Sequence, residues 1–272
     1  MNKTICMIGG DERNNKLAEL LKKEYIVKVY SDKEKDIGEL LKNSDCVVSG
    51  IPFSRDNETV NMPGSLEKVT VEKLFMSMKS TKKIIAGSFS DRIKSLAVRY
   101  EIELYDFLSD EDFAVYNAIP TAEGAIGIAI EKTKCTINGA NCLVLGYGRI
   151  GKCLADILKS LHANVTVVAR KDEDFAWIKA MGYTGKKYSD LQEILPSTDI
   201  LFNTVPALVI QQELNYIKKD CLIIDLASKP GGVDFDLAKE KGIEAELALG
   251  LPGKVAPDSV AEYMFNKVKK VI

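Results

Sequence analysis

Histidine is nearly absent from this chain, and its scarcity narrows the chemistry available. The sequence has 272 residues and one histidine, His162. A serine or cysteine nucleophile of the triad type needs a positioned base, most often an imidazole. His162 follows Leu161 at the end of a predicted helix, where a capping residue is expected, so we assign it a structural role. We therefore expect no catalytic triad.

Cysteine is present, but never at the spacing of a metal site. The six cysteines lie apart along the chain, mostly in apolar segments, and no pair has the spacing typical of metal ligands. This pattern is typical of small buried side chains, so we expect no metal site. Their positions are Cys6, Cys46, Cys135, Cys142, Cys153 and Cys221.

An excess of charge of one sign is missing as well. The 37 basic and 39 acidic residues nearly cancel and are interspersed, which argues against a nucleic-acid or anionic membrane partner. Residues 2–8 form one short strand-like run, with no signal-peptide pattern and no apolar run long enough to span a bilayer. We expect a cytoplasmic protein with small-molecule partners.

Strand and helix patterns alternate along the chain, which predicts an α/β fold with two parallel sheets. We expect a flavodoxin-like or Rossmann-like domain over 1–118, and a linker helix with an NAD(P)-binding Rossmann domain over 119–254. Residues 255–272 are predicted to form a C-terminal helix that packs against a domain surface. The predicted strands are 4–8, 25–30, 46–49, 83–86 and 101–105, then 141–145, 164–169, 200–203, 222–226 and 244–249.

The strongest motif is the segment 143–151, which reads LVLGYGRIG. Its glycines permit a tight turn, a close approach of the backbone to phosphates, and close packing of the next helix. An amphipathic helix and a second apolar strand follow in the required order. We therefore predict a dinucleotide whose pyrophosphate meets the N-terminus of that helix. The loop residues assigned to the cofactor are Gly146, Gly148, Arg149, Ile150 and Gly151.

Two cations follow the second strand of this unit. An acidic residue that binds a ribose 2′-hydroxyl is expected about 20 residues after the last glycine, but the sequence has Arg170 and Lys171 there. Cations neutralise a 2′-phosphate and give a hydroxyl no acceptor. We predict NADP or NADPH, with NAD also possible. The alternative is that the two charges are solvated at a strand end.

Further candidates lie in the loops after the strands. In a two-domain protein of this type, the ligand occupies the cleft beyond the carboxyl ends of the strands. These loops are rich in glycine, proline, serine and aspartate, so each taken alone could be an ordinary turn. We assign four of their residues to the cofactor: Thr204, Val205, Pro206 and Ala227.

Two predicted helix starts could meet further anions. Residues 109–133 have a helical pattern in which Pro120 stands where a helix could restart, with Thr121 and Glu123 in its first turn. Gly9 and Gly10 close the first strand and open another helix. The turn at Gly9 and Gly10 is not a dinucleotide fingerprint, because the two glycines are adjacent and no third glycine follows at the required spacing.

These segments together resemble the family of A subunits of bacterial dipicolinate synthase. The resemblance covers nearly the whole chain and is weakest over 54–79. The motifs that carry it are IGGD at 8–11 with Arg13, AIPTAEGA at 118–125, LVLGYGR at 143–149, FNTVPAL at 202–208, DLASKPGG at 225–232 and GLPGKVAP at 250–257.

The resemblance implies an oxidoreductase that converts a dihydrodipicolinate-type product of the lysine pathway to dipicolinate. NADP would be the hydride acceptor, and the reaction would take place in the mother cell of a sporulating bacterium. The flavoprotein-like B subunit of dipicolinate synthase is the implied partner, and we also expect a homo-oligomer. Because hydride removal creates an aromatic ring, the step needs little acid or base power, which agrees with the scarcity of histidine.

A dicarboxylate substrate needs cations around it. We assign substrate binding to Arg13, Arg55, Thr121 and Lys254. Lys229 is a candidate carboxylate clamp or charge partner near the nicotinamide, and its alternative is a solvated lysine on a turn. Asp225 could accept a proton or cap the turn that follows it, and Glu123 could accept a ring proton or simply suit a first helical turn.

Two alternatives stay open. The Rossmann half is also similar to D-2-hydroxyacid dehydrogenases, which polarise a carbonyl with a histidine and an arginine. The corresponding turns here have Lys254 and Lys229, and lysine is a poor proton donor near neutral pH. The chain could also be a regulatory or scaffold protein that binds NADPH without turnover, because Rossmann folds serve both roles.

Overall fold

The computed structural model describes residues 3–31, 36–78 and 81–272. The chain divides into two compact units. The first comprises the described residues of Met1–Tyr116 together with Ala256–Ile272, and the second is Asn117–Val255. Each unit is built around one parallel sheet, so the predicted fold class is confirmed.

The first unit has a five-stranded sheet in the order β2-β1-β3-β4-β5. Its central strands are apolar runs that are buried on both faces, as parallel sheets covered by helices require. All of its strand pairs are parallel. The strands are β1 (Thr4–Ile8), β2 (Ile26–Val29), β3 (Cys46–Ser49), β4 (Lys83–Ala86) and β5 (Glu103–Asp106).

Four helices between these strands and one from the end of the chain complete the first unit. The last helix packs on the first, and the apolar side chains of both join one core that includes Leu17, Leu21, Val260, Met264 and Val268. The helices are α1 (Glu12–Leu21), α2 (Ile37–Leu41), α3 (Val71–Ser77), α4 (Asp91–Arg99) and the C-terminal one, Pro257–Val271.

One long helix, α5 (Glu111–Lys132), carries the chain from the first unit to the second. Pro120 lies inside this helix, so the expectation that a helix restarts there is wrong. The continuous stripe of Ala118, Ala122 and Ala125 is buried, and its packing outweighs the hydrogen bond that proline removes. By length and hydropathy α5 could cross a membrane, but 56% of its apolar window is buried within the protein.

The second unit has a six-stranded parallel sheet in the order β11-β10-β9-β6-β7-β8. Apolar clusters cover both faces of this sheet. Sequence patterns predicted all of these strands except the short β8. The strands are β6 (Asn141–Leu145), β7 (Asn164–Val168), β8 (Thr184–Lys186), β9 (Ile200–Asn203), β10 (Leu222–Asp225) and β11 (Glu244–Leu247).

The helices of the second unit follow its strands. Several short 3-10 turns join them, and the helix α11 (Pro257–Val271) that follows belongs to the first unit. After the first Rossmann helix, His162 adopts a left-handed conformation, with φ of 62°, which suits the residue that follows a helix C-cap. The helices are α6 (Arg149–Ser160), α7 (Asp172–Ala180), α8 (Leu191–Ile194), α9 (Phe235–Glu240) and α10 (Leu251–Val255).

Candidate functional site

The turn between β6 and α6 accepts only glycine at two positions. Gly146 has φ of +92°, and a Cβ there would lie 2.6 Å from the Thr204 hydroxyl oxygen. A Cβ on Gly151 would lie 2.2 Å from the carbonyl oxygen of Gly146, far inside van der Waals contact. The first glycine therefore makes the turn, and the last lets α6 lie against it, as the fingerprint requires.

Gly148 differs from its neighbours because a Cβ there would meet open space, with no heavy atom within 4 Å. It is the N-cap residue of α6, and as a glycine it has no side chain that could accept a hydrogen bond from the first turn. The first turn of α6, which begins with Arg149, contains no acidic residue. Neither the N-cap residue nor an acidic side chain of the first turn therefore competes with an anion for the N-terminus of α6, where the helix dipole favours negative charge.

This combination fits a dinucleotide. The space beside Gly148 admits a phosphate close to the backbone, and the first turn of α6 contains no acidic residue that would repel it. Arg149 is exposed in the first turn, and Ile150 is half-buried behind it. These residues would hold the pyrophosphate of a nicotinamide dinucleotide.

A buried polar pair joins the ends of β9 and β10. Asn203 and Asp225 are opposite each other in the register of the two strands and both are fully buried. The Asn203 side-chain amide donates to Asp225 Oδ1 at 2.8 Å and to the carbonyl oxygen of Val205 at 3.0 Å. The backbone N–H of Val205 donates back to Asn203 Oδ1 at 3.1 Å. This pair fixes the loop after β9.

Asp225 also organises the loop after β10. Its carboxylate accepts the N–H of Ala227 at 3.0 Å and the N–H of Gly232 at 2.6 Å. These bonds are those of the turn-capping role, one of the two roles predicted for Asp225. With Asn203 as a third donor, both carboxylate oxygens are occupied and shielded from solvent, so the structure does not support Asp225 as a proton acceptor.

The loop after β9 contains three residues assigned to the cofactor. The Thr204 hydroxyl donates to the carbonyl oxygen of Leu145 at 2.8 Å, which ties this loop to the end of β6. Thr204 and Val205 are half-buried and Pro206 is exposed. The structure therefore brings Thr204, Val205, Ala227 and the glycine turn to one edge of the second sheet.

The two cations after β7 have different surroundings. Lys171 donates to Glu173 at 3.1 Å, and the first turn of α7 contains three acidic residues. Arg170 is exposed at the same edge of the sheet. Burial raises the pKa of the Tyr188 phenol, and the charge of Arg170 opposes this shift, because the two side chains are neighbours. Arg170 is therefore the better placed of the two cations to meet a phosphate.

Tyr188 marks a groove that the sequence did not predict. With Leu208, Val209 and Gln211 it lines a groove of about 280 Å³ in the second unit. The leucine exposes 56% of its surface there. The lining of this groove is more polar than apolar, and its Tyr188 lies within the electrostatic influence of Arg170.

The remaining candidates of the second unit are at or near its surface. Lys229 is exposed on a turn in which Gly231 N–H donates to the Ser228 carbonyl oxygen at 2.9 Å. Lys254 is exposed near the end of α10. Glu123 is exposed in the middle of α5, not in a first turn.

The position of Thr121 corrects a second expectation. This residue is buried in the interior of α5, and its hydroxyl donates to the carbonyl oxygen of Asn117 at 2.8 Å. Because the helix continues through Pro120, no free N–H groups are present at Thr121. The structure therefore gives no support for an anion site there.

The first unit gives Arg13 a structural role. Its side chain is only 3% exposed, and it donates to both carboxylate oxygens of Asp11 at 2.8 and 2.7 Å and to the carbonyl oxygen of Ile51. Although burial opposes the shift, the hydrogen bonds and charge of Arg13 lower the pKa of Asp11. The charge of Arg13 is thus already neutralised, and its assignment to the substrate is not supported.

The glycine turn before α1 is also occupied. The N–H of Gly10 donates to the carbonyl oxygen of Asn61 at 2.9 Å, and Asp11 caps α1 with its own carboxylate. Exposed Arg55 donates to the Asn61 side chain at 3.1 Å. The predicted second anion site is therefore closed, and Arg55 is the remaining exposed cation assigned to the substrate in this unit.

Two family models match successive parts of the chain. The N-terminal domain of the dipicolinate synthase A subunit matches residues 4–108, and the NAD binding domain of D-isomer specific 2-hydroxyacid dehydrogenases matches residues 93–230. The A subunit of dipicolinate synthase from Bacillus subtilis (strain 168) is 38% identical over 190 residues, which cover 70% of this chain and 64% of that relative.

Two of the solved structures that match over nearly the full length are dipicolinate synthase A chains. The dipicolinate synthase A subunit from Bacillus halodurans has a TM-score of 0.88 and 31% identity, over 99% of this chain and 97% of that chain. The A chain of dipicolinate synthase from Bacillus subtilis has a TM-score of 0.85 and 30% identity, over 100% and 96%. The chain belongs to the family of dipicolinate synthase A subunits.

Membership of this family confirms the predicted resemblance and the predicted fold. The match of the NAD-binding domain also supports the predicted enzyme class, a nicotinamide-dependent oxidoreductase. It supports a nicotinamide cofactor without distinguishing NADP from NAD.

One important residue of the candidate site was not predicted from the sequence. Asn203 lies within the motif at 202–208, and it links the loops after β9 and β10. The signal was present, because Asn203 and Asp225 are the polar last residues of two otherwise apolar strands. A polar residue at that place in neighbouring parallel strands predicts a contact across the strand ends.

Proposed function

We propose that this chain oxidises a dihydrodipicolinate-type substrate to dipicolinate with NADP as hydride acceptor. It would act together with the B subunit in the cytoplasm of a sporulating bacterium. The observation that carries the proposal is the full-length similarity to two dipicolinate synthase A chains, joined to an uncapped α6 N-terminus with space for a phosphate.

The chemistry asks little of the protein's own acids and bases. The dihydropyridine ring loses one hydrogen together with two electrons, as a hydride. It loses a second hydrogen as a proton, and the product is an aromatic ring. A bound oxidised nicotinamide accepts the hydride. The protein must orient the ring, hold its two carboxylates and let the proton leave. The single histidine of the chain is then no obstacle.

Three exposed cations are candidates for the carboxylates. Lys229 and Lys254 lie in the second unit and Arg55 in the first. Lys229 is the best supported of the three, because the buried Asp225 holds the loop that carries it in one conformation. Glu123 is exposed and could receive the ring proton, but no contact of the structure favours it over water.

The central experiment is an assay with the full chain. Dihydrodipicolinate is generated in situ, NADP or NAD is added with or without the B subunit, and reduced nicotinamide and dipicolinate are followed together. The proposal expects both products to rise in equal amounts in at least one combination. Absence of both in every combination would contradict it and leave a non-catalytic protein that only binds the dinucleotide.

Cofactor choice can be tested separately at Arg170. We expect Arg170→Asp to weaken NADP binding by about 10-fold or more, and NAD binding much less, because the lost contact is to the 2′-phosphate. Lys171→Ala is the matched control, since Lys171 is already paired with Glu173. Equal losses for NADP and NAD would defeat the assignment.

Lys229 can be tested by steady-state kinetics. We expect Lys229→Met to raise KM for the dicarboxylate by about 10- to 100-fold while the affinity for NADP stays the same, since a charge-assisted contact of this kind contributes about 1.5–3 kcal/mol. Lys219→Met changes another exposed lysine of the same unit. Unchanged kinetics in both variants would return Lys229 to a solvated surface role.

A further inference from the structure

Asn14 is a buried polar side chain of the first unit that the proposed function leaves without a role. It lies in the first turn of α1 and is only 4% exposed. Neither its amide nitrogen nor its amide oxygen has a hydrogen-bond partner among the residues that the structure describes. Unpaired buried amide atoms lower the stability of a fold, and a small apolar side chain would avoid that loss. Packing alone therefore does not explain an asparagine at this position.

Two glycines leave room for this amide at one end of the first sheet. A Cβ on Gly10 would lie 2.0 Å from the amide carbon of Asn14, and a Cβ on Gly50 would lie 3.7 Å from its amide oxygen. Gly10 comes after β1 and Gly50 comes after β3. The Ser49 hydroxyl donates to the Ile8 carbonyl oxygen at 2.6 Å and joins the two strand ends. The Asn14 amide therefore lies where the carboxyl ends of β1 and β3 meet.

This place is the switch point of the first sheet. From β1 the chain passes to β2 on one side, and it then crosses to β3 on the other side of β1. In an open parallel sheet, ligands bind in the crevice outside the carboxyl ends of the strands, at the point where the strand order reverses. In the first unit that point lies between β1 and β3, beside Asn14.

A cation with free donors is tied to the same turn. Arg55 is exposed, and its Nε donates to Asn61 Oδ1 at 3.1 Å. Asn61 accepts the Gly10 N–H with its carbonyl oxygen at 2.9 Å, and its side chain donates to the Pro52 carbonyl oxygen at 3.1 Å. The two terminal NH2 groups of Arg55 donate to no residue in the described part of the chain. Asn61 therefore holds the guanidinium at the turn and leaves its outer edge open.

We propose that this edge of the first unit is a carboxylate site, in which Arg55 and Asn14 bind the same carboxylate of the substrate. The outer edge of a guanidinium can pair with both oxygens of a carboxylate. Since no hydrogen bond holds the Asn14 amide inward, it can turn about its side-chain bonds and donate from Nδ2 to one of those oxygens. Asp11 does not repel the ligand, because Arg13 neutralises it. The inference deepens the proposed function and rests on it for the dicarboxylate that the site receives.

The site uses side chains and does not need the N–H groups of the glycine turn, which are already occupied. Its consequence is a trade between stability and binding. The unpaired amide lowers the stability of the free chain, and the ligand supplies the missing hydrogen-bond acceptor. Removing the amide should therefore weaken binding without lowering stability. For a packing residue, the substitution would lower stability and leave binding unchanged.

The test measures how tightly the full chain binds pyridine-2,6-dicarboxylate, the product of the proposed reaction. Isothermal titration in metal-free buffer follows binding with and without NADP. We expect Asn14→Ala and Arg55→Met each to weaken binding by about 10-fold. The double variant should fall well short of the roughly 100-fold loss of two independent contacts, because both changes remove contacts to one carboxylate. The midpoint of urea unfolding of Asn14→Ala should be unchanged or higher.

Two matched controls separate these contacts from general effects. Asn15→Ala makes the same substitution at the next position of α1, where the exposed side chain donates to Glu12 at 3.3 Å. Arg92→Met removes another exposed arginine of the same unit, which pairs with Glu58. Both variants should bind the dicarboxylate as tightly as the unmodified chain.

Unchanged affinity in Asn14→Ala would overturn the inference and make Asn14 a packing residue. Losses that multiply fully in the double variant would overturn the shared carboxylate. An unmodified chain that binds no dicarboxylate in either condition would also overturn the inference, whereas the proposed function is decided by the formation of dipicolinate and reduced nicotinamide. Should Asn14→Ala not fold, the exposed Arg55 still decides. Unchanged affinity in Arg55→Met overturns the inference, and a loss that Arg92→Met does not share supports it.

Discussion

Two helices of this chain begin after a glycine turn that follows a buried strand, and their first turns differ. Before α1, Gly9 and Gly10 both have positive φ values, as Gly146 does before α6. At α1 the N-cap is Asp11, whose carboxylate accepts the N–H of Arg13. At α6 the N-cap is Gly148, which offers no side-chain acceptor.

The difference teaches that the cap residue, more than the glycines, decides whether such a turn can bind an anion. A carboxylate cap satisfies one N–H group and places a negative charge where a phosphate would lie. In the first unit a buried arginine neutralises that carboxylate. The glycine turn before α1 is therefore a closed structural unit. The glycine turn before α6 has no such cap and can bind a ligand.

The largest expected effect is at Gly151. Gly151→Ala would place a Cβ 2.2 Å from a backbone oxygen, so either α6 or the turn must shift. We expect the affinity for NADP to fall by about 100-fold or more and the free energy of unfolding to fall by about 1–3 kcal/mol. Isothermal titration and urea unfolding measure the two. Gly127→Ala, where a Cβ meets open space in α5, is the control and should leave cofactor binding intact.

Gly148→Asp would give α6 an aspartate at its N-cap, as α1 has at Asp11. The backbone there, with φ of −79° and ψ of −163°, suits any residue, so the fold should tolerate the change. We expect the affinity for NADP to fall by about 30- to 100-fold through like-charge repulsion, with an unchanged or higher melting temperature. Gly148→Ala adds a Cβ without charge and should cost less. Equal losses in both variants would show that space, and not the cap, controls binding.

Asp11→Ala tests the opposite change. It removes a helix cap and leaves the buried Arg13 without its partner, so we expect the free energy of unfolding to fall by about 2 kcal/mol, a value reduced for the partial exposure of Asp11. Asp36→Ala removes the cap of α2, where the carboxylate accepts only the Gly38 N–H, and should cost less. The affinity for NADP should not change. A loss of NADP binding would contradict the separation of the two turns.

The smallest expected effect is the pH dependence of the unfolding free energy that Asp11→Ala removes. The pKa of Asp11 is lowered in the folded protein, so its stabilising contribution is complete above its unfolded value of about 3.9 and is lost as the pH falls through the lower folded value. The difference in unfolding free energy between the unmodified chain and Asp11→Ala should therefore shrink below about pH 4. Urea unfolding between pH 3 and 7 measures it, and a constant difference would contradict the assigned role.

Much of the fold could be predicted from the sequence because parallel strands buried on both faces give clear apolar runs. The strands 4–8, 46–49, 83–86, 141–145 and 200–203 agree with the structure at both ends. The missed strand β8 (Thr184–Lys186) contains no large apolar residue and lies at the edge of its sheet. Its pairing depends on its neighbour β7 rather than on a pattern of its own.

Some residues of the candidate site could also be predicted from a local pattern, and others could not. The glycine turn could be predicted because its geometry excludes side chains, and this constraint is local to the sequence. The roles of Arg13 and Thr121 depend on contacts with Ile51 and on the continuation of α5 through Pro120, which no local rule contains. A charged or polar side chain near a glycine turn is therefore weak support for ligand binding until its partners are known.

The two units also differ in how the chain assembles them. The core of the first unit is completed by α11, whose Val260, Met264 and Val268 pack with side chains of α1, whereas the second unit is one continuous segment, Asn117–Val255. On a ribosome, the second unit has all of its residues before the first does. The usual order, in which the N-terminal part of a protein folds first, therefore does not extend to the face of the first sheet whose core α11 completes, although the core on its other face uses only residues between Cys6 and Leu104.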